Sequence, residues 1–234
     1  MRALCESSPL LQRQTASGPA DHMLSRKPQP LLIFPYNGNG IEAVDCLGAQ
    51  YYLVGFVDDT PDKQGKDRYG HRVLSRDALK EHADALVLAV PGSATSYRSR
   101  REIVTTMGIN DRRFARVVHS TASVSTLAAV GYNVLIMAGV VITSNAVIGN
   151  HVCILPNTVI HHDAVVGDWS LIGSNVTIAG NAVVGENCYI GSGSTLMNGL
   201  HIGDGALVGL GSNVIRNVAA GARVAGNPAR ELGK

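Results

Sequence analysis

Two short stretches of this chain carry side chains whose types and spacing suit chemistry. The first is Ile160-His161-His162-Asp163. An imidazole with an ordinary pKa near ~6.5 can take a proton from an attacking amine or hydroxyl at neutral pH. A carboxylate directly after it can hold one tautomer and stabilise the imidazolium that forms. His162 is therefore the candidate base, Asp163 its acidic partner and His161 a helper. The second stretch, Gly38-Asn39-Gly40-Ile41-Glu42-Ala43, fits G-x-G-x-x-A between an apolar run and a helical pattern. Glycines there let a phosphate approach backbone N–H groups at the positive end of a helix. Asp58 and Asp59 follow about twenty residues later, where an acid can meet a ribose or a base.

Two kinds of element must position these groups. Around the glycines, Leu31–Phe34, Tyr52–Val57 and Ala85–Val90 read as buried strands, and Ile41, Val44 and Leu47 share one helical face. Strands alternating with helices predict a small parallel α/β sheet of Rossmann-like type. Asn37, Gly38, Asn39, Gly40, Asp58, Asp59, Gly92 and Ser93, which follow strand ends, are the candidate substrate-binding residues. The segment is short for a two-half dinucleotide fold, so a nucleotide or nucleotide sugar fits it better than NAD. A tight turn with only a structural role is the remaining reading.

Around His162 the element is a repeat. From Val118 to Val214 every sixth residue is Val, Ile or Leu. Glycine often follows it (Gly149, Gly167, Gly185), and a small residue stands two before it (Ala146, Thr158, Ser170). A period of six is neither the 3.6 of a helix nor the alternation of a sandwich strand. It predicts a parallel β-helix in which three units make one triangular coil and the aliphatic residues stack eighteen residues apart. No coil buries its apolar face alone, so stability comes from stacking. His162, two residues after the inward Ile160, should then project from a corner.

The net charge of +2, without a long basic run, argues against a nucleic-acid groove. No apolar stretch approaches membrane-spanning length. Cys5, Cys46, Cys153 and Cys188 lack CxxC or zinc spacing and read as reduced thiols in a cytoplasmic protein, Cys153 and Cys188 as core filler. No histidine spacing argues for a metal. Residues 1–29 have no periodicity and read as a flexible leader. The expected division is thus 1–29 leader, 30–117 α/β domain and 118–234 β-helix.

The order of these parts resembles the sugar acetyltransferases of the sialic-acid O-acetyltransferase type and their relatives that N-acetylate nucleotide-linked 4-amino-4,6-dideoxy sugars. Four stretches carry the likeness: the loop 36–43, Val54–Asp59, Ile160–Asp168 and Val224-Ala225-Gly226-Asn227-Pro228-Ala229. The resemblance implies a left-handed β-helix, a homotrimer with sites between subunits, and acetyl-CoA as donor. Its commonest catalytic motif is Glu-His-Asp or Glu-His-Glu, which falls on His162 and Asp163 and finds His161 in place of Glu. Gly180, one coil later, matches the position whose N–H faces the acetyl carbonyl. Gly191 and Gly209 would let a pantetheine arm lie against the coil, and Arg216, Arg223 and Arg230 cluster where the family binds the CoA nucleotide. Leu155, near Asn157, replaces an Asn that often contacts the sugar, and Ile41 replaces a His that commonly follows the loop glycines. The implied activity is N-acetylation of a nucleotide-linked amino sugar in surface-glycan biosynthesis, by direct attack on the thioester. O-acetylation of a sugar such as sialic acid, and a non-catalytic scaffold, are the alternatives.

Overall fold

The repeat forms a three-faced parallel coil in a computed structural model that describes residues 27–233. The expected leader falls almost wholly outside the described residues. Its last three residues are the exception, and the first strand, β1 (Gln29–Phe34), starts one residue before the expected boundary and pairs Gln29 with Tyr51.

Each unit contributes a two- or three-residue strand that pairs with the strand eighteen residues on, as Val141 does with Val159 and Val159 with Thr177. One face runs through Val134–Ile136, Cys153–Ile154, Leu171–Ile172, Tyr189–Ile190 and Leu207–Val208. The second runs through Val141–Ile142, Val159–Ile160, Thr177–Ile178 and Thr195–Leu196. The third runs through Val147–Ile148, Val165–Val166, Val183–Val184 and His201–Ile202. The aliphatic series fills the interior, with Ile136, Ile154, Ile160, Ile172, Ile178 and Ile190 completely buried. Each such side chain contributes roughly 1.5–3 kcal/mol on burial. The small residues two before them are buried too, and the polar ones are bonded. Thr158 Oγ1 donates to Gly173 O (2.7 Å) and accepts from Val176 N–H (3.1 Å). Ser170 repeats the arrangement with Gly185 O and Cys188 N–H.

The corners have a second period of six. The third residue after each aliphatic position has positive φ at Asn133, Gly139, Asn145, His151, Asn157, Asp163, Trp169, Asn175, Asn181 and Asn187, and then at Gly193, Gly199, Gly205 and Gly211. Gly, Asn and Asp tolerate this left-handed conformation, which most other L-residues avoid at a cost of roughly 1–2 kcal/mol. His151, Asp163 and Trp169 are the departures from Asn and Gly.

The N-terminal segment forms a five-stranded sheet in the order β3-β4-β2-β1-β5, with β2 Tyr51–Val57, β3 Gly65–Lys66, β4 Arg72–Leu74 and β5 Leu86–Ala89. β4, β2, β1 and β5 are parallel, and β3 is an antiparallel edge. Short helices α1 (Gly38–Ala43), α2 (Ala78–Glu81) and α3 (Arg100–Thr105) connect them. The segment from Tyr97 to Met107 is helical only in part, beginning with a 3-10 turn at Tyr97–Ser99. One side of this unit packs on the first face of the coil: Leu31, Ile33, Phe56 and Leu88 share a core with Leu135, Met137, Cys153 and Leu171. Cys188 fills the coil interior and Cys153 this shared core, and burial pushes both thiols up, to about 11 and about 12. Among the described residues no helix is long and apolar enough to cross a membrane.

The unit is clasped to the edge between the third and first faces. Arg100, 1% exposed, donates through Nη1 to the carbonyls of Trp169 and Ser170 (both 3.1 Å) and through Nη2 to that of His151 (2.8 Å). Asn133 bonds both backbone groups of Ala89 and meets His151 Nδ1 at 2.8 Å. Arg98 Nη2 donates to the carbonyls of Gly205 and Gly221 further along the same edge.

Candidate active site

In an extended strand successive side chains point to opposite faces, so neighbours in sequence do not meet. The left-handed bend at Asp163 (φ 58°) breaks that alternation, and the Asp163 side chain comes to lie beside His162. His162 Nδ1 is 2.8 Å from Asp163 Oδ2. The other oxygen of Asp163 accepts from Asn145 Nδ2 at 3.1 Å, one coil earlier. Hydrogen bonds from His162 and then Asn145 hold the Asp163 carboxyl below the ordinary carboxylate range, so it stays charged at neutral pH. A charged carboxylate on Nδ1 favours the tautomer with its proton there and leaves Nε2 free to accept. Both side chains are open, 59% exposed for His162 and 45% for Asp163.

The imidazole lies over Gly180. A Cβ at Gly180 would stand 2.6 Å from both Cε1 and Nε2 of His162, so only glycine leaves the ring its place. The ladder bonds at this corner are made by Ala179 N–H to Leu196 O and Asn181 N–H to His162 O. The Gly180 N–H between them takes no part in that ladder, and the residue itself is buried. The arrangement can accept a proton at Nε2 and offer a hydrogen bond close by. His161, whose N–H is tied to Ile178 O, precedes the bend. Among the described residues no three His, Cys, Asp or Glu side chains gather as metal ligands.

The other expected residues lie elsewhere. Gly191 and Gly209 sit at the edge between the first and second faces, whereas His162 is at the edge between the second and third. Crowding accounts for both glycines, since added Cβ atoms would meet Leu210 N at 2.7 Å and Ala225 Cβ at 2.8 Å. Asn37 caps α1 by accepting from Gly40 N–H (2.8 Å), and a Cβ on Gly40 would overlap the Pro35 carbonyl oxygen. Gly38 and Asn39 open the same helix, and nothing crowds Gly38. Asp58, 4% exposed, accepts from Lys63 Nζ (2.9 Å) and Thr60 N–H (3.0 Å), and Lys63 also reaches Tyr36 O (3.2 Å). Burial pushes the Asp58 carboxyl up, but these bonds outweigh it and the net shift is downward. Asp58 therefore ties the end of β2 to the Gly-rich loop with its own oxygens. Asp59 pairs with Arg76 (2.5 Å). Gly92 has φ 114° and lies against the Arg100 side chain, and Ser93 bonds Thr95 and Ser96 within its turn.

The structure thus brings His162, Asp163 and Gly180 together, and Asn37–Gly40 near Asp58. It does not join the two groups in one chain. The N-terminal unit covers the first face, and His162 stands on the edge opposite that face.

Residues 145–180 match the bacterial transferase hexapeptide model (six repeats). That stretch contains His162, Asp163 and Gly180. A comparison with curated protein sequences returned no match. Among solved structures, a histidine-to-asparagine mutant of perosamine N-acetyltransferase from Caulobacter crescentus, in complex with CoA and GDP-perosamine, superposes with a TM-score of 0.78. It is 23% identical, over 88% of this chain and 97% of that one. The acetyltransferase domain of PglB from Neisseria gonorrhoeae, in complex with acetyl coenzyme A, gives 0.77 at 24% identity, over 88% and 100%. WeeI from Acinetobacter baumannii gives 0.75 at 25%, over 87% and 99%. Both the α/β unit and the coil fall within these overlaps, so the chain shares their fold.

Proposed function

We propose that the chain is an acyltransferase that moves the acetyl group of acetyl-CoA to the amine of a nucleotide-linked sugar, of the 4-amino-4,6-dideoxy type, in surface-glycan biosynthesis. The observation that carries this is the His162–Asp163 pair at 2.8 Å with its imidazole packed against Gly180. The two complexed structures named above, with CoA and GDP-perosamine or with acetyl coenzyme A, have the same fold and supply the substrate classes. In the proposed reaction His162 Nε2 takes a proton from the acceptor nitrogen as it attacks, and Asp163 stabilises the imidazolium. The Gly180 N–H donates to the acyl oxygen where negative charge builds. An N–C bond forms, the C–S bond breaks, and His162 returns its proton to the departing thiolate. No covalent intermediate on the protein is needed.

The coil in this reading is left-handed and the N-terminal unit is a Rossmann-like nucleotide-sugar module around Asn37–Gly40. Asp58 there acts by fixing the loop through Lys63, and Asp59, Gly92 and Ser93 line the same strand ends. A homotrimer belongs to this reading, and the separation of the parts supports a site completed by a neighbouring copy. An exposed dyad opposite the docked face can meet a loop only from a neighbouring copy, and Gly191 and Gly209 of that copy can border the thioester arm. A cytoplasmic reaction is part of the same reading, supported by the proposed use of nucleotide sugars and acetyl-CoA.

The test is a CoA-release assay over UDP-, GDP- and dTDP-linked 4-amino sugars, with sialic acid as hydroxyl acceptor, for the native chain and His162→Ala. Turnover on one amino sugar, reduced roughly 10²–10⁴-fold by the substitution, is the expected result. Turnover on sialic acid alone would replace N- by O-acetylation, and release unaffected by His162→Ala would remove the dyad from the mechanism.

A further inference from the structure

Asp163 can serve His162 only if its carboxylate keeps one orientation, and the pair itself does not guarantee that. Asp163 is half-exposed, and water competes for both of its oxygens. The edge that carries the dyad runs through Asn145, Asp163, Asn181 and Gly199, all left-handed, so their side chains or hydrogens stack eighteen residues apart. Of the two asparagines flanking Asp163, Asn145 bonds it, through Nδ2 to Oδ1 at 3.1 Å. Oδ2 is thereby left for His162 Nδ1 at 2.8 Å. Each oxygen has one donor, and neither can exchange with the other without breaking both bonds.

We propose that Asn145 is a positioning residue for the proton-accepting dyad: its amide locks the Asp163 carboxylate, and through it the Nδ1–H tautomer of His162. The proposal rests on the acetyltransferase reading for its effect on turnover but not for its geometry. An amide suits the position because it donates without ionising, whereas a carboxylate there would repel Asp163. The backbone explains why a polar residue is tolerated at this corner but does not require Asn, since glycine holds the equivalent place at Gly139, Gly193, Gly199, Gly205 and Gly211. The corners before and after the dyad, Ser144-Asn145 and Gly180-Asn181, carry no ionisable side chain, and Asp163 is the titratable group that bonds His162. The low pKa of Asp163, to which the Asn145 bond contributes, agrees with a permanently charged acceptor.

Asn145→Gly tests this, because it removes the amide and keeps a residue suited to positive φ. Imidazole ¹⁵N shifts of His162 are measured in both proteins above the ordinary histidine pKa, with thermal unfolding as the check on the fold. The native protein should show His162 mainly as the Nδ1–H tautomer and the variant a mixture of the two. In the CoA-release assay kcat should fall about tenfold, a loss of ~1.4 kcal/mol in transition-state stabilisation, with KM for acetyl-CoA unchanged. Identical tautomer populations in the two proteins, or an unchanged kcat alongside a shifted tautomer when His162→Ala does lose activity, would overturn the proposal. The NMR readout needs no turnover. A tautomer shift in Asn145→Gly together with full activity in His162→Ala would therefore keep the lock and remove the catalytic reading instead.

Discussion

Replacing Arg100 by Met should weaken the whole chain, although Arg100 lies in a polar run and far in sequence from the coil. The guanidinium has three carbonyl partners, at 2.8, 3.1 and 3.1 Å, and no carboxylate. Ser170 O keeps a second donor, Cys153 N–H at 3.2 Å, so Met would orphan two carbonyls, those of His151 and Trp169. A buried acceptor left without a donor costs about 1–3 kcal/mol, giving roughly 2–6 kcal/mol for the pair. Relief of the desolvation of an unpaired buried charge, and of the Nε that has no partner, offsets part of this. A net loss of about 2 kcal/mol is expected. Arg98→Met is the control. Its bonds to Gly205 and Gly221 are exposed, water replaces them, and the change should stay within about 0.5 kcal/mol. Urea unfolding can be followed by Trp169, the chain's one tryptophan, which stacks on His151 at 3.6 Å inside the clasp. The midpoint for Arg100→Met should drop with the slope unchanged, since both proteins expose the same surface. Equal midpoints for the two variants, or a gain from Arg100→Met, would refute the view that the guanidinium serves those carbonyls.

Two further outcomes can be read from the same structure. Gly180→Ala puts a Cβ 2.6 Å from the His162 ring at a backbone φ that alanine accepts; kcat for CoA release should fall at least about tenfold, while the urea midpoint stays within about 0.5 kcal/mol of native, and unchanged kcat would mean the imidazole does not work over Gly180. Burial and then the Arg100 charge lower the pKa of His151 to about 4, so the unfolded chain binds its proton first; stability is complete above ~6.5 and is lost as pH falls towards 4. Trp169 fluorescence should therefore titrate near pH 4, and a midpoint near 6.5 would show that His151 is not desolvated by the clasp.

The coil was legible because stacking imposes one rule on every turn. An aliphatic position repeated seventeen times from Val118 to Val214 has no local escape, and the series shows it. The docked face left a fainter trace: its outward residues Leu135, Cys153, Leu171 and Tyr189 are bulkier or more apolar than Thr177, Thr195 and Asn213 on the second face. His162 and Asp163 were legible as residue types, and the bend that joins them was present as the Asn and Gly series one half-period away. The N-terminal site was less so. Asp58 stands where a ligand-binding acid would, but Lys63 five residues on turns its oxygens inward, and nothing in the spacing distinguishes the two uses. Arg100 gave no signal at all, since burial of a charge against carbonyls depends on which corner of the coil meets α3.

The left-handed corner connects these features. Each edge repeats the same strained position, and Asn or Gly occupies it wherever nothing else is demanded. His151 and Trp169 depart from that choice on the clasped edge, where they stack on one another and lend their carbonyls to Arg100. Asp163 departs on the edge that stays open, where its bend brings two sequence neighbours within hydrogen-bonding distance. A residue that keeps a strained conformation needs a compensating contact, and all three departures have one. The same backbone irregularity therefore does two jobs a third of a turn apart. On one edge it holds the α/β unit to the coil, and on the other it pairs His162 with Asp163.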